Sequence, residues 1–175
     1  GRIFDAIASL LELADKLSYE GEAAMLLEAL AQSYCQKNGF DFKEDYANEK
    51  VFSEGSIKPK ATEIFRQVIS DIREGKDAGF IAAKFHYSMV KLIQIVGNRL
   101  NINNIAFSGG VFQNTLLLDM IEYHLSADAQ LFFHRQLSPN DENISFGQWA
   151  RCTGMSPLRG FSELNQQQHV SRNSR

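Results

Sequence analysis

Apolar residues recur at helical spacing in the first part of the chain. Between residues 3 and 14 one helical face consists of Ile3, Ile7, Leu10, Leu11 and Ala14. Polar residues occupy the opposite face, so the pattern predicts an amphipathic helix over residues 3–14. The same pattern returns over residues 22–36 after a break at Gly21, and Gly39 follows as a typical helix end.

The pattern changes after residue 39. Weak alternation within residues 40–60 predicts short strands, and helical spacing predicts helices at about 61–74 and 79–99. A strand over 104–108, a helix over 112–126, a strand over 130–134 and a final helix through Trp149 follow. From Thr153 on, the chain is polar and aperiodic, which predicts a loosely ordered tail over residues 153–175.

The strand-helix-strand-helix order predicts an α/β unit, in which ligands bind at the carboxyl ends of the strands. Ser108, Gly109 and Gly110 stand at that place. Glycines let a ligand approach the backbone, and the first free N–H groups of the following helix attract an anion. A tight turn without a ligand explains the same residues equally well.

Composition narrows the classes of function. The 175 residues are 44% hydrophobic, enough for most or all of one domain, and the net charge of −3 disfavours nucleic-acid binding. No apolar run has the length of a membrane span. Cys35 and Cys152 lack the spacing of a zinc site or disulfide framework, which favours a reducing cytoplasm. The start without Met suggests a piece of a longer chain.

Four motifs carry a resemblance to a known family. They are GRIFDAIASLLEL, SYEGEAAMLLEALA, SGGVFQN and SPNDENISFGQWA, in this order along the chain. Together they resemble the C-terminal part of the HypF family of hydrogenase-maturing carbamoyltransferases, a relative of the tRNA threonylcarbamoyl transferases. The resemblance implies the helix-rich C-terminal lobe of an α/β domain of the actin-like/sugar-kinase (ASKHA) superfamily, covering residues 1–152.

The family's chemistry is implied by the same resemblance. Carbamoyl phosphate and ATP yield carbamoyl-adenylate, and the carbamoyl group passes to the C-terminal cysteine of the partner HypE. Dehydration there leads to the cyanide ligands of [NiFe]-hydrogenase. The motifs of the nucleotidyl domain are absent from this chain, so the chain by itself is predicted to be inactive.

The resemblance also implies candidate binding residues. It places the nucleotide beside Gly109, Gly110 and Asn114, whose amide offers a donor and an acceptor. Asp5 matches an aspartate that holds ribose hydroxyl groups, although a first-turn carboxylate is also favoured by the helix dipole. Gly21 matches a ribose-side glycine, whereas Glu22 departs from the double glycine of the tRNA branch.

Asp141 matches the aspartate of a divalent metal site, iron or zinc, whose other two ligands are histidines. The alternative for Asp141 is a helix N-cap. The histidine pair is not in this chain, so the remaining ligands are expected outside it. His86 falls on the apolar side of the long helix and is interpreted as a core histidine.

Two other functions stay open at this point. The chain could be a lobe of a tRNA threonylcarbamoyladenosine transferase, although SYEGE and PNDENISFGQ depart from that branch. It could also be a non-catalytic actin-like module for protein contacts, in which case the SGGVFQN turn would bind no nucleotide.

Overall fold

The computed structural model describes residues 2–14, 16–53 and 55–153. The tail predicted over residues 153–175 therefore lies, apart from Thr153, outside the described residues. Within the described part no helix has the length and apolar character needed to cross a membrane. The helices are α1 (Arg2–Leu10), α2 (Glu22–Asn38), α3 (Ala61–Arg73), α4 (Ala78–Leu100), α5 (Thr115–Leu125) and α6 (Ile144–Cys152), and the strands are β1 (Asn104–Ala106) and β2 (Gln130–Phe132).

The long helix α4 forms the centre of the core. Asp77 caps its first turn by accepting a hydrogen bond from the Phe80 N–H at 2.9 Å, and Asn101 ends it in the left-handed conformation. Helices α2 and α5 pack against it, and α1 packs against α2. The fully buried side chains at the centre include Ile7, Leu27, Ile81, Phe85, Leu117, Met120 and Ile121.

The two strands pair in parallel, with Asn104 opposite Gln130 and Ala106 opposite Phe132. Helix α5 connects them, so the predicted strand-helix-strand unit is confirmed, with each strand shorter than predicted. The rings of Phe107 and Phe133 stack 5.0 Å apart just beyond the paired residues. Because the two strands are parallel, they both end at the same edge of the sheet, and the loops that follow them meet there.

The structure differs from the prediction at the end of α1 and within residues 40–60. Helix α1 ends at Leu10 rather than residue 14, because Glu12 adopts a left-handed backbone conformation with a φ of 57°. The short strands predicted within residues 40–60 are wrong. That segment holds a 3₁₀ turn at Glu49–Val51 and one isolated bridge between Phe52 and Pro59.

A buried ionic cluster replaces strand pairing in the segment before the 3₁₀ turn at Glu49–Val51. Asp71 of α3 accepts a hydrogen bond from the Tyr46 hydroxyl at 2.7 Å and lies 3.0 Å from the ammonium group of Lys84 on α4. Lys76 approaches the other carboxylate oxygen of Asp71 at 2.8 Å. Burial alone would raise the pKa of Asp71, but these hydrogen bonds together hold it below its ordinary value. The segment is fixed by side chains, which strand patterns do not predict.

Candidate functional site

The candidate site lies at the carboxyl edge of the two strands, where two loops meet. The loop after β1 contains Gly109, whose N–H donates to the Pro139 carbonyl of the loop after β2 at 2.6 Å. Gln113 also donates to the Ser138 hydroxyl at 3.4 Å. The structure thus joins the SGGVFQN turn to the loop that carries Asp141.

The backbone explains why glycine stands at position 109 but not why it stands at position 110. Gly109 has φ 110° and ψ 159°, a conformation that side chains other than hydrogen rarely adopt. Gly110 has an ordinary backbone conformation, and a Cβ added there would meet only the Gln113 Oε1 atom at 3.9 Å. The fold therefore requires glycine at position 109 and leaves position 110 unexplained by packing.

Free backbone donors lie at the start of the 3₁₀ turn Gly110–Gln113. Neither the Gly110 N–H nor the Val111 N–H has a hydrogen-bond partner among the described residues. Gly110 is also exposed to solvent. Successive free N–H groups of this kind suit an anionic oxygen.

The N–H groups in the first turn of α5 are already occupied by side chains. Glu28 of α2 accepts from the Thr115 N–H at 2.7 Å and from the Leu116 N–H at 3.2 Å. Asn114 accepts from the Leu117 N–H at 2.7 Å. The helix predicted from residue 112 therefore begins at Thr115, and the free donors lie one turn earlier.

Asn114 is buried, and both ends of its amide have partners within the fold. Its Oδ1 atom caps α5, and its Nδ2 atom lies 3.1 Å from the Nε2 atom of His86. The Nδ1 atom of His86 lies 2.8 Å from the Ala82 carbonyl, which can only accept. His86 is therefore the neutral tautomer with its proton on Nδ1. Contact between Asn114 and a nucleotide stays a prediction.

The interpretation of His86 as a core residue is confirmed. Its side chain is 0% exposed and lies edge-on to Phe4 and Phe85. Burial lowers the pKa of His86, against smaller raising effects from the Ala82 hydrogen bond and Glu28. The histidine makes two hydrogen bonds, one with the Ala82 carbonyl and one with the Asn114 amide.

The two candidates for ribose binding, Asp5 and Gly21, lie in helix α1 and at the N-cap of helix α2, and these helices pack against each other. Asp5 is half-buried in the first turn of α1, and its carboxylate has no hydrogen-bond partner in the part of the chain that the structure describes. Gly21 is the N-cap of α2, with φ 87°. Glu22 accepts from the Ser18 N–H at 2.5 Å, so this residue shapes the loop before α2. The ribose roles of Asp5 and Gly21 stay predictions.

The N-cap interpretation of Asp141 is wrong. The cap of the 3₁₀ turn Asp141–Asn143 is Asn140, which accepts from the Glu142 N–H at 3.1 Å. The Asp141 side chain is exposed, and its carboxylate has no partner among the residues described. No three metal-ligating side chains cluster within those residues. Asp141 thus has the chemistry of a single carboxylate ligand and not of a complete metal site.

Glu28 is the residue that reasoning from the sequence missed. It lies in the middle of α2 and caps a helix 87 positions later. No local spacing predicts such a contact. The link from His86 to Asn114 was missed for the same reason, since 28 positions separate them.

Comparison with known proteins identifies the family. Residues 1–148 match the model of the carbamoyltransferase, Kae1-like domain, second subdomain. The chain belongs to this family. It is 32% identical over 151 residues to the carbamoyltransferase HypF of Synechocystis, covering 85% of this chain and 18% of that protein. It is 30% identical over 172 residues to carbamoyltransferase HypF2 of Cupriavidus necator, covering 85% and 21%.

Solved structures give the same assignment. A crystal structure of full-length HypF in its phosphate- and nucleotide-bound form matches with a TM-score of 0.68 and 31% identity, over 85% of this chain and 23% of that one. HypF of T. kodakarensis matches with a TM-score of 0.57 and 31% identity, over 79% and 17%. The predicted family and the helix-rich α/β fold class of the ASKHA superfamily are confirmed. The chain spans about a fifth of the length of these relatives.

Proposed function

We propose that the chain is the second subdomain of a HypF-type carbamoyltransferase, and that its SGGVFQN turn binds the phosphate of carbamoyl-adenylate. In this proposal the C-terminal cysteine of HypE attacks the carbamoyl carbon as its thiolate. The bond from that carbon to the phosphate oxygen breaks, and AMP leaves. The similarity to carbamoyltransferases supports the reaction class.

The observation that carries the binding role is the open backbone at Gly110. Its N–H and that of Val111 are free among the described residues, and no side chain fills the space beside its Cα atom. A phosphate oxygen placed there would accept both hydrogen bonds. The nucleotide-bound state of a solved HypF relative supports this class of ligand.

The flanking residues have complementary roles in the proposal. Asp5 and Gly21 would lie at the ribose, and helices α1 and α2 that carry them pack against each other. Asn114 would hold the SGGVFQN turn in place through its hydrogen bonds with His86 and the Leu117 N–H. Asp141 would supply one carboxylate to an iron or zinc ion whose other ligands come from outside this chain, and that ion would polarise the carbamoyl-phosphate linkage. We expect the chain of 175 residues alone to show no carbamoyl transfer.

The proposal is tested in the full-length enzyme with Gly110→Ala and Gly110→Val. A β-branched side chain beside the phosphate is expected to lower kcat/KM for carbamoyl transfer at least tenfold, with alanine intermediate, while Tm stays within a few degrees of the wild type. The measurements are ATP- and carbamoyl-phosphate-dependent labelling of HypE, and thermal unfolding.

Gly97→Ala is the matched control. A Cβ there would meet the Ile102 carbonyl oxygen at 3.5 Å and the Ile105 side chain at 3.6 Å, both ordinary contacts at the opposite edge of the sheet. This variant is expected to transfer carbamoyl groups like the wild type. Normal kcat/KM in folded Gly110→Val enzyme would refute the proposed phosphate contact.

A further inference from the structure

One buried side chain contacts two of the elements that carry candidate nucleotide residues. His86 lies in α4, and its ring centroid is 5.4 Å from that of Phe4 in α1, next to Asp5. On the other side its Nε2 atom meets Asn114, which follows the 3₁₀ turn Gly110–Gln113. His86 therefore joins the helix of Asp5 to the turn of Gly110.

The donors and acceptors around His86 allow only one orientation of the Asn114 amide. The Ala82 carbonyl accepts from Nδ1–H, Nε2 accepts from the Asn114 amide, and the Asn114 oxygen accepts from the Leu117 N–H. Rotating the Asn114 amide by half a turn would place its NH₂ group against the Leu117 N–H and its oxygen against the Nε2 lone pair. Both hydrogen bonds would be lost in a buried place.

A second link fixes the same helix end from α2. Glu28 accepts from the Thr115 hydroxyl and from the backbone N–H groups of Thr115 and Leu116. The start of α5 is thus held by one side chain from α2 and one from α4. These contacts leave the turn before α5 little freedom to shift.

We propose that His86 is a positioning residue for nucleotide binding, which holds Asn114 in one orientation and so fixes the SGGVFQN turn relative to Asp5. This inference rests on the proposed function. It assigns His86 no contact with the ligand. Its effect reaches the site through Asn114 and through Phe4.

Two isosteric variants of the full-length enzyme separate this role from core packing. His86→Gln can place its amide oxygen near the position of Nε2, where it accepts from Asn114. His86→Asn can still donate to the Ala82 carbonyl, but its shorter side chain ends before Asn114. Both variants put one neutral amide in the same cavity, so they are matched in polarity.

With purified carbamoyl-adenylate supplied as the donor, the Asn variant is expected to raise KM for carbamoyl-adenylate about tenfold with kcat less affected, and the Gln variant is expected to restore that KM to within about twofold of the wild type. Equal KM values for the two variants, or a wild-type KM in the Asn variant, would overturn the inference. Wild-type enzyme without carbamoyl transfer would instead refute the proposed function. If His86→Asn and His86→Gln have the same Tm but different KM values, the role of His86 is not limited to stability.

A measurement without any variant tests the same geometry. Nitrogen NMR of histidine-labelled full-length enzyme is expected to show His86 as the neutral Nδ1–H tautomer, with and without nucleotide. Observation of the Nε2–H tautomer would overturn the inference, because that nitrogen could not accept from Asn114.

Discussion

Replacing Asn114 with alanine removes both hydrogen bonds that its side chain makes at the start of α5. The change removes the cap on the Leu117 N–H, which costs about 1 kcal/mol. It also leaves the buried Nε2 atom of His86 without a donor, which costs about 1–3 kcal/mol. We therefore expect the free energy of unfolding to fall by about 2–4 kcal/mol.

Urea unfolding of the 175-residue protein, followed by circular dichroism, measures this loss. The midpoint should fall while the slope with urea concentration stays the same. Asn114→Asp is the matched control, since its carboxylate keeps the cap but places an oxygen against Nε2. Its defect should be smaller at pH 5 than at pH 8, because a protonated His86 donates to that oxygen. An unchanged urea midpoint in Asn114→Ala would refute the assigned capping role and leave Asn114 free for the ligand.

Three further predictions concern the buried titratable residues Asp71 and His86 and the glycine pair Gly109 and Gly110. Asp71→Asn should destabilise the protein by about 1.5–3 kcal/mol at pH 7, because Lys84 loses its buried partner but keeps Glu44 at 3.0 Å; the wild type should lose this contribution as pH falls below about 4, since the pKa of Asp71 is lowered in the folded state. Burial lowers the pKa of both His86 and His124, so the unfolded chain binds protons first and stability should decline below about pH 6.5; His86→Gln should make that decline shallower in urea titrations, and the remainder comes from His124. Gly109→Ala should cost about 1–3 kcal/mol because of its positive φ, whereas Gly110→Ala should leave stability equal or slightly higher; equal losses at both positions would contradict the assigned backbone conformations.

Periodicity predicted the helices well because their apolar faces pack on one core. The bounds of α2, α3 and α4 lie within a few residues of those expected. Periodicity failed over residues 40–60, where Tyr46 and its buried hydrogen bonds to Ser88 and Asp71 fix the chain. Such contacts join residues 25 and 42 positions apart and leave no local pattern.

The candidate site was predicted in its location but not in its internal contacts. The Ser108-Gly109-Gly110 turn lies at the carboxyl edge of a parallel pair, as the strand-helix order indicated. The free donors are at Gly110 and Val111 rather than in the next helix, because Glu28 reaches that helix from α2. A long-range cap of this kind depends on how α2 and α5 pack, which sequence spacing alone does not determine.

Hydrogen exchange in the full-length enzyme tests the central claim most directly. Exchange in a peptide covering residues 107–114 would be compared by mass spectrometry with and without a non-hydrolysable analogue of carbamoyl-adenylate. We predict slower exchange of the Gly110 and Val111 amides when the nucleotide is bound, because their free N–H groups then donate to phosphate. Unchanged exchange in this peptide, while calorimetry shows that the analogue binds, would contradict a phosphate site at the SGGVFQN turn.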